Sequence, residues 1–232
     1  MKSEAGRELR NLIDTHWRPE LAYAVGLITS DGWLSKDVAE IGMVSKDREL
    51  IDTFAKCLNL VRKPFPSGRG GEIAKKYWSI RFKSRQFYQF LIEIGIGPAK
   101  SKTIERVAVP DEFFADFLRG VYDGDGTFWT EWDTRWKKSF VYHLGISSAS
   151  SAFTHWLKQK LTSLYNVKGY VVQGDGVLTI RYAKGDSHKL FDAMYYKDQL
   201  PLLQRKHRKI KQALDFDQQL KEDRVHAAVA QR

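Results

Sequence analysis

The sequence predicts an α+β fold built from two pseudo-symmetric units, each with the element order α-β-β-α-β-β-α. The first observation behind this prediction is an internal repeat, because a shift of 94 residues pairs Gly26 with Gly120 and Asp31 with Asp125. The second is that each repeat leads into segments in which apolar and polar residues alternate, which is typical of strands. The third is that amphipathic helical segments separate these strands in both copies. We therefore expect two antiparallel sheets, each covered by helices on one face.

Each repeat begins with a helical segment that ends in an acidic residue, Asp31 in the first copy and Asp125 in the second. A helix carries a partial negative charge at its C-terminus, so a carboxylate there is disfavoured by about 0.3–1 kcal/mol. A glycine inside each segment, Gly26 or Gly120, lets the two helices pack closely side by side and brings the carboxylates together. Divalent cations relieve such a concentration of negative charge. The sequence therefore predicts a divalent-metal site where the two helices end.

The strand segments KKYWSIRFK and VLTIRYA each carry one apolar and one polar, basic face. The apolar positions, which we expect in the core, are Trp78, Ile80 and Phe82 in the first segment and Leu178, Ile180 and Tyr182 in the second. The polar positions, together with those of the hairpin FWTEWDTRWKKSFVYHLGI, are Lys75, Tyr77, Ser79, Arg81, Lys83, Arg135, Lys137, His143, Thr179 and Arg181. Polar side chains on such a sheet can reach base edges in a major groove, and marginal lysines can reach phosphates. We expect this set to bind DNA.

The repeat also predicts how the chain is divided. Residues 1–16 form an N-terminal arm, residues 17–106 the first unit, residues 107–220 the second unit and residues 221–232 a C-terminal tail. Each unit already contains one of the two helical segments that must pair. We therefore expect a monomer whose two units are related by a pseudo-two-fold axis.

The composition indicates a nucleic-acid partner. The net charge is +10, and both halves contain more Lys and Arg than Asp and Glu, a balance typical of proteins that bind polyanions. No apolar run approaches the roughly 18 residues of a membrane span, so we expect no membrane association. The single Cys57 excludes an internal disulfide and fits a reducing intracellular compartment, either the cytoplasm or an organelle. Its helical apolar surroundings predict a packed core thiol.

The two motifs, AVGLITSDG at Ala24–Gly32 and LRGVYDGDG at Leu118–Gly126, resemble the signature of the LAGLIDADG homing endonucleases, specifically the single-chain type with two motifs. The resemblance extends from about Pro19 to about Leu214, and its most diagnostic stretch is KSKTIERVAVPDEFFADFLRGVYDGDGTF. The first motif departs from the family pattern at its sixth position, Thr29, where the family often has an acid. In this family the sheets form a DNA-binding saddle, and the motif helices pack at the interface of the two units.

The resemblance implies a site-specific double-strand DNA endonuclease with a long target site. Such an enzyme hydrolyses one phosphodiester on each strand with Mg²⁺ and leaves short 3′ overhangs. Asp31 and Asp125 would hold two or three Mg²⁺ ions, helped by the carbonyls of Ser30 and Gly124; Mn²⁺ or Ca²⁺ would substitute, Ca²⁺ without cleavage. The residues implied near the scissile phosphates and the attacking water are Lys100, Lys206, Lys46 and Ser148.

Two other functions are compatible with the same fold. One is a maturase that assists splicing of intron RNA, and the other is a DNA-binding protein without catalysis. Because both motif carboxylates and both lysines, Lys100 and Lys206, are present, the endonuclease is the favoured hypothesis.

Overall fold

A computed structural model describes residues 13–68, 76–136 and 139–230 of the chain. The elements of the first half are α1 Pro19–Ser30, β1 Gly32–Leu34, β2 Glu40–Ser45, α2 Arg48–Cys57, β3 Phe65–Ser67, β4 Tyr77–Lys83 and α3 Arg85–Glu93. Those of the second half are α4 Phe114–Asp125, β5 Gly126–Trp132, β6 Phe140–Ser148, α5 Ser151–Tyr165, β7 Tyr170–Gln173, β8 Leu178–Tyr182, α6 Lys184–Met194 and α7 Gln204–Ala230. The predicted α+β class and the repeated element order are confirmed.

Each half contains one four-stranded antiparallel sheet, with the strand orders β1-β2-β4-β3 and β5-β6-β8-β7. The registers of the two sheets match. In the first sheet Met43 pairs with Gly32 on one side and with Ile80 on the other. In the second, Ile146 pairs with Gly126 and with Ile180. Because the pairs correspond position by position, the sheets are pseudo-symmetric as predicted, and residues of the two halves can be equated through this register.

The motif helices α1 and α4 pack against each other at their glycines. A Cβ atom on Gly26 would lie 2.2 Å from the carbonyl oxygen of Phe117, and one on Gly120 would lie 2.2 Å from that of Tyr23. Real Cβ atoms do not approach other atoms so closely, so glycine is needed at both positions for the backbones to touch. The prediction that the motif helices pack at the interface is confirmed.

The remaining helices cover the apolar face of each sheet. Phe54 of α2 and Phe82 of β4 meet in the first half, and Phe128 of β5 packs on Phe191 of α6 in the second. The thiol of Cys57 is buried among these helices, and burial raises its pKa to about 12. A thiol with so high a pKa is inert at neutral pH, in agreement with the predicted core role.

The structure describes only part of the segments that lie outside the two repeats. Residues 1–12 of the predicted arm lie outside the described residues, and Ile13 is buried. Residues 104–110, between the two halves, form no regular secondary structure. Residues 221–230, expected as a tail, continue α7 without a break. The domain boundaries themselves stay a prediction. Among the described helices, none combines the length and apolar character that crossing a membrane requires.

Candidate active site

The two motif carboxylates lie at the same end of the paired helices. Asp31 directly follows α1, with its N–H bonded to the Leu27 carbonyl at 2.9 Å, and Asp125 is the last residue of α4. Both line an open cleft of about 900 Å³. A Cβ atom on Gly124 would lie 3.3 Å from Oδ2 of Asp31, which places Asp31 beside the backbone that carries Asp125. The structure therefore brings the two predicted carboxylates together.

The surroundings of Asp125 disfavour its charge. Burial is the largest influence and raises the pKa of this carboxyl group, while the nearby ammonium groups of Lys100 and Lys206 lower it in part. The helix C-terminus adds partial negative charge at the same place. A cation that approaches this end of the helix pair would consequently be attracted.

The two predicted lysines lie at the ends of the motif helices. The ammonium of Lys100 donates to the carbonyl oxygens of Thr29 at 2.7 Å and Ser30 at 3.2 Å. Burial is the main reason why the pKa of Lys100 falls to about 8, although Asp125 and Asp31 raise it in part.

Lys206 makes the corresponding contacts in the second half. Its ammonium donates to the carbonyl oxygens of Tyr122 at 2.7 Å, Gly124 at 3.2 Å and Gly126 at 2.7 Å. Burial lowers the pKa of Lys206 to about 8 as well. The carbonyls of Ser30 and Gly124, named above as metal ligands, each accept a lysine hydrogen bond and keep a second lone pair for a cation.

Asp123, the sixth residue of the second motif, borders the cleft, but its side chain is buried in the helix interface. Its Oδ2 accepts hydrogen bonds from the hydroxyl of Tyr23 at 2.7 Å and from the N–H of Leu203 at 2.8 Å. Burial raises its pKa to about 6, and these hydrogen bonds lower it in part. Thr29, the equivalent residue of the first motif, donates only to the carbonyl of Val25 in its own helix. Asp123 thus joins α1, α4 and the start of α7.

Lys46 and Ser148 both line the cleft, but they are not equivalent residues. The strand register equates Ser148 with Ser45 and therefore Lys46 with Ala149. Ser148 is the last residue of β6, whereas Lys46 is the first residue after β2, so the two positions differ by one in the register. The ammonium of Lys46 lies 5.7 Å from the centre of the Tyr77 ring.

An ion pair that the sequence did not indicate joins the two halves beside the cleft. Arg205 of α7 donates two hydrogen bonds to Asp47, which precedes α2, at 2.8 and 2.6 Å. The hydrogen bond from Arg205 is the main cause of the lowered pKa of Asp47. These residues are 158 positions apart and belong to different repeats, so no local pattern could reveal the contact.

The expected DNA-binding residues of the first sheet mostly follow the predicted faces. Tyr77 and Arg81 line the cleft, and Lys83 is exposed at the end of β4. Ser79 lines it too but is only 1% exposed, because the hydroxyl of Ser67 on the neighbouring strand β3 donates to its own. Lys75 lies outside the described residues.

The remaining residues expected to bind DNA belong to the second half. Lys137 lies outside the described residues. The guanidinium of Arg135, in the turn after β5, lies 3.6 Å from Asp133. His143 stacks on Trp129 with ring centres 5.1 Å apart. The hydroxyl of Thr179 hydrogen-bonds that of Ser147 at 2.8 Å. The guanidinium carbon of Arg181 lies 5.5 Å from the centre of the Trp129 ring.

This arrangement of two sheets around a central helix pair with paired terminal carboxylates defines a LAGLIDADG-type fold. No protein-family model and no curated protein matches the sequence. Among solved structures, the chain is similar to the homing endonuclease I-WcaI bound to its DNA recognition sequence, with a TM-score of 0.61 and 14% identity over 87% of this chain and 93% of that one.

Two further solved structures show the same likeness. The LAGLIDADG meganuclease I-AabMI bound to uncleaved DNA has a TM-score of 0.62 and 13% identity over 89% of this chain and 92% of that one. The N-terminal LAGLIDADG domain of DUF199/WhiA has a TM-score of 0.52 and 15% identity over 86% of this chain and 94% of that one. At these identities the comparisons show the fold, and the resemblance expected from the two motifs is confirmed at that level.

Proposed function

We propose that this protein is a site-specific double-strand DNA endonuclease of the homing type. The observation that carries the proposal is the meeting of Asp31 and Asp125 at one end of the motif helices, beside two lysines whose ammonium groups lie at the same helix ends. The basic strand faces on either side supply a surface for the DNA duplex. Two proteins of similar fold, I-WcaI and I-AabMI, were solved bound to DNA, which supports duplex DNA as the partner.

The donor groups of this site suit a hard divalent cation. Carboxylate and carbonyl oxygens are the ligands that Mg²⁺ prefers, and Mg²⁺ usually takes one or two carboxylates together with waters and substrate phosphates. Within the described part of the chain, no cluster of three or more His, Cys, Asp or Glu side chains could hold a metal. DNA phosphates would therefore complete the coordination. I-DmoI, another protein of similar fold, was solved with DNA and Mn, which supports a divalent metal.

Asp31 and Asp125 would hold two or three Mg²⁺ ions, helped by the carbonyls of Ser30 and Gly124. Mn²⁺ would replace Mg²⁺, and Ca²⁺ would bind without cleavage. When bound, the metal supplies an activated water and charge stabilisation for the leaving 3′ oxygen. One carboxylate would serve each DNA strand, and the products would carry short 3′ overhangs.

The protein's own residues position the DNA and stabilise its charge. With pKa values near 8, Lys100 and Lys206 are mostly protonated at neutral pH. Their hydrogen bonds to the helix-end carbonyls hold each positive charge close to the carboxylates, where it can stabilise negative charge that develops on a phosphate. Lys46 and Ser148 lie at the edges of the same cleft and would orient water.

The experiment is a selection of cleaved duplexes from a randomised library by the full chain with Mg²⁺. We expect one preferred site, cut on both strands, and no cutting by the double variant Asp31→Asn/Asp125→Asn. Binding of a preferred duplex that is never cut would favour the alternative of a non-catalytic DNA-binding protein. Tight binding of intron RNA without DNA cutting would favour a maturase.

The active species would be a monomer, because each half contributes one motif helix to the pair. Sedimentation of the DNA-free protein at micromolar concentration tests this. A stable dimer would contradict it.

A further inference from the structure

Two arginines occupy equivalent places in the two sheets. Arg81 of β4 pairs with Gly42 of β2, and Arg181 of β8 pairs with Gly145 of β6. Each arginine directly follows a buried isoleucine of the matched register. Because successive side chains of a strand point to opposite faces, both arginines lie on the face of the sheet that is turned away from the core.

Each arginine is supported by an indole ring. The guanidinium carbon of Arg81 lies 5.9 Å from the centre of the Trp33 ring and 5.6 Å from that of Phe65. The guanidinium carbon of Arg181 lies 5.5 Å from the centre of the Trp129 ring. Aromatic rings at this distance attract the cation and restrict its plane. An arginine beside an indole therefore occurs once in each half, although the register equates Trp33 with Thr127, two positions before Trp129.

The glycines that pair with these arginines make room for the indoles. A Cβ atom on Gly42 would lie 2.4 Å from Cζ2 of Trp33, and one on Gly145 would lie 3.2 Å from Cζ3 of Trp129. The indole thus lies across the middle strand at a position without a side chain, where it contacts the arginine of the next strand. Glycine inside a strand often marks such a close approach.

The side chain of Arg81 is exposed, and that of Arg181 has a buried donor without a partner among the described residues. The Nε atom of Arg181 is buried without a hydrogen-bond partner, and neither arginine forms a salt bridge with another described residue. A planar fork of donors that is held by an aromatic ring fits a planar ligand edge with two acceptors. In duplex DNA, the edge with two acceptors that arginine contacts most often in the major groove is that of guanine, with O6 and N7.

We propose that Arg81 and Arg181 each bind a guanine in the major groove, at two positions of the target that are related by the pseudo-two-fold axis. The inference rests on the proposed function in that the target is duplex DNA, but it does not depend on cleavage. Since the registers place the two arginines equivalently, the two guanines should lie at equal distances from the centre of the site and on opposite strands.

The test is a selection of bound, uncut duplexes from a randomised library by the full chain in Ca²⁺ and, separately, in EDTA. We expect the wild-type pool to contain a guanine at both positions. Arg81→Lys and Arg81→Ala should each lower the preference for guanine at one position by about 10- to 100-fold and leave the other unchanged. Arg181→Lys and Arg181→Ala should do the reverse.

Two further variants separate base reading from general charge. Gly42→Ala keeps Arg81 but displaces the Trp33 ring, so it should weaken the guanine preference at the Arg81 position alone. Lys83→Ala removes a basic residue two positions along the same strand face. It should weaken binding about equally for all sequences, as loss of a phosphate contact does. Thermal unfolding of every variant confirms that each is folded.

The outcomes distinguish this inference from the proposed function. A wild-type pool without the two guanines, or an Arg81→Ala variant that loses affinity equally for all sequences, would overturn the inference and leave the endonuclease proposal in place. A guanine preference that depends on both arginines, in a protein that never cuts, would support the inference while the endonuclease proposal fails. Absence of binding to any duplex would overturn both.

Discussion

The two halves of the molecule hold their lysines differently. In the first half Lys100 lies in a turn and donates to two helix-end carbonyls. In the second half Lys206 lies in the first turn of α7 and donates to three carbonyls. The groups around these lysines differ more. On one side of the cleft, Asp47 and Arg205 form an ion pair between the halves. The register equates Asp47 with Ser150, whose hydroxyl donates to the carbonyl of Ile104. The two carboxylates and the two lysines proposed for chemistry are therefore repeated, while the ion pair beside them is not.

The largest effect should follow from removal of either repeated carboxylate. Asp31→Asn and Asp125→Asn should each lower the rate of double-strand cleavage by at least about 100-fold, since each removes charge stabilisation on one strand. DNA affinity should change little, because the lost charge repels phosphate. A supercoiled plasmid that carries the selected site, incubated with Mg²⁺, distinguishes nicked from linear product.

Stability provides the control for these variants. Without metal, Asp125→Asn should leave the free energy of unfolding unchanged or raise it by about 0.3–1 kcal/mol, because a carboxylate leaves a negative helix end. Normal cutting of both strands by this variant, or its unfolding, would rule out the catalytic role.

The next largest effect tests the symmetric helix contact. Gly26→Ala and Gly120→Ala should each lower the free energy of unfolding by about 3 kcal/mol, at the upper end for overpacked cores, because the new methyl group meets backbone atoms. The two losses should be similar, since the two clashes are equally short. Urea denaturation measures both. A loss in only one variant would mean that the helix contact is not symmetric.

A smaller effect separates the sixth residues of the motifs. Asp123→Ala should lower the free energy of unfolding by about 2 kcal/mol, because Tyr23 and Leu203 lose a buried acceptor. Thr29→Ala should cost less, since the hydroxyl of Thr29 donates to a carbonyl of its own helix. Urea denaturation at pH 7 compares the two variants, and equal losses would contradict the joining role of Asp123.

The smallest effect concerns the ion pair between the halves. Asp47→Asn should lower the free energy of unfolding by less than about 1 kcal/mol, because both side chains are partly exposed. Since Arg205 lowers the folded-state pKa of Asp47 below 3.8, its contribution is present above about pH 3.8 and is lost as the pH falls through the folded-state value. The difference between wild type and variant should therefore vanish in acid.

The same variant also tests whether the ion pair affects catalysis on one strand. Because Arg205 is adjacent to Lys206, Asp47→Asn should change the ratio of the two nicking rates. The exchanged pair Asp47→Arg/Arg205→Asp should move that ratio back toward the wild-type value. An unchanged ratio in Asp47→Asn would show that the pair is only structural.

What could be predicted from the sequence depended on local patterns. The motif helices, their glycine contact and the alternating strand faces follow from residues within a few positions of each other or from the repeat. Ser79 lines the cleft with the other polar residues of β4, but its burial depends on Ser67 of another strand. The partners of Asp123 are 80 and 100 positions away, so no local pattern indicates its role.

Where the two repeats differ in length, the sequence does not show which residues are equivalent. The segment from Asp31 to the end of β2 is shorter than that from Asp125 to the end of β6, so only the register shows that Ser148 corresponds to Ser45 and not to Lys46. The continuation of α7 beyond residue 220 was not expected, although Phe216 within it packs on Phe140 of β6 with ring centres 4.9 Å apart. Only the strand register and tertiary packing could decide these points.

Each lysine contacts the motif helix of its own half. Lys100 bonds the end of α1, and Lys206 bonds the end of α4. A gene duplication of one unit would thus copy a carboxylate together with the lysine that accompanies it. Later substitutions could then make the halves unequal at positions such as Asp47 and Asp123 without removing either carboxylate, and each half could adapt to a different half of the target.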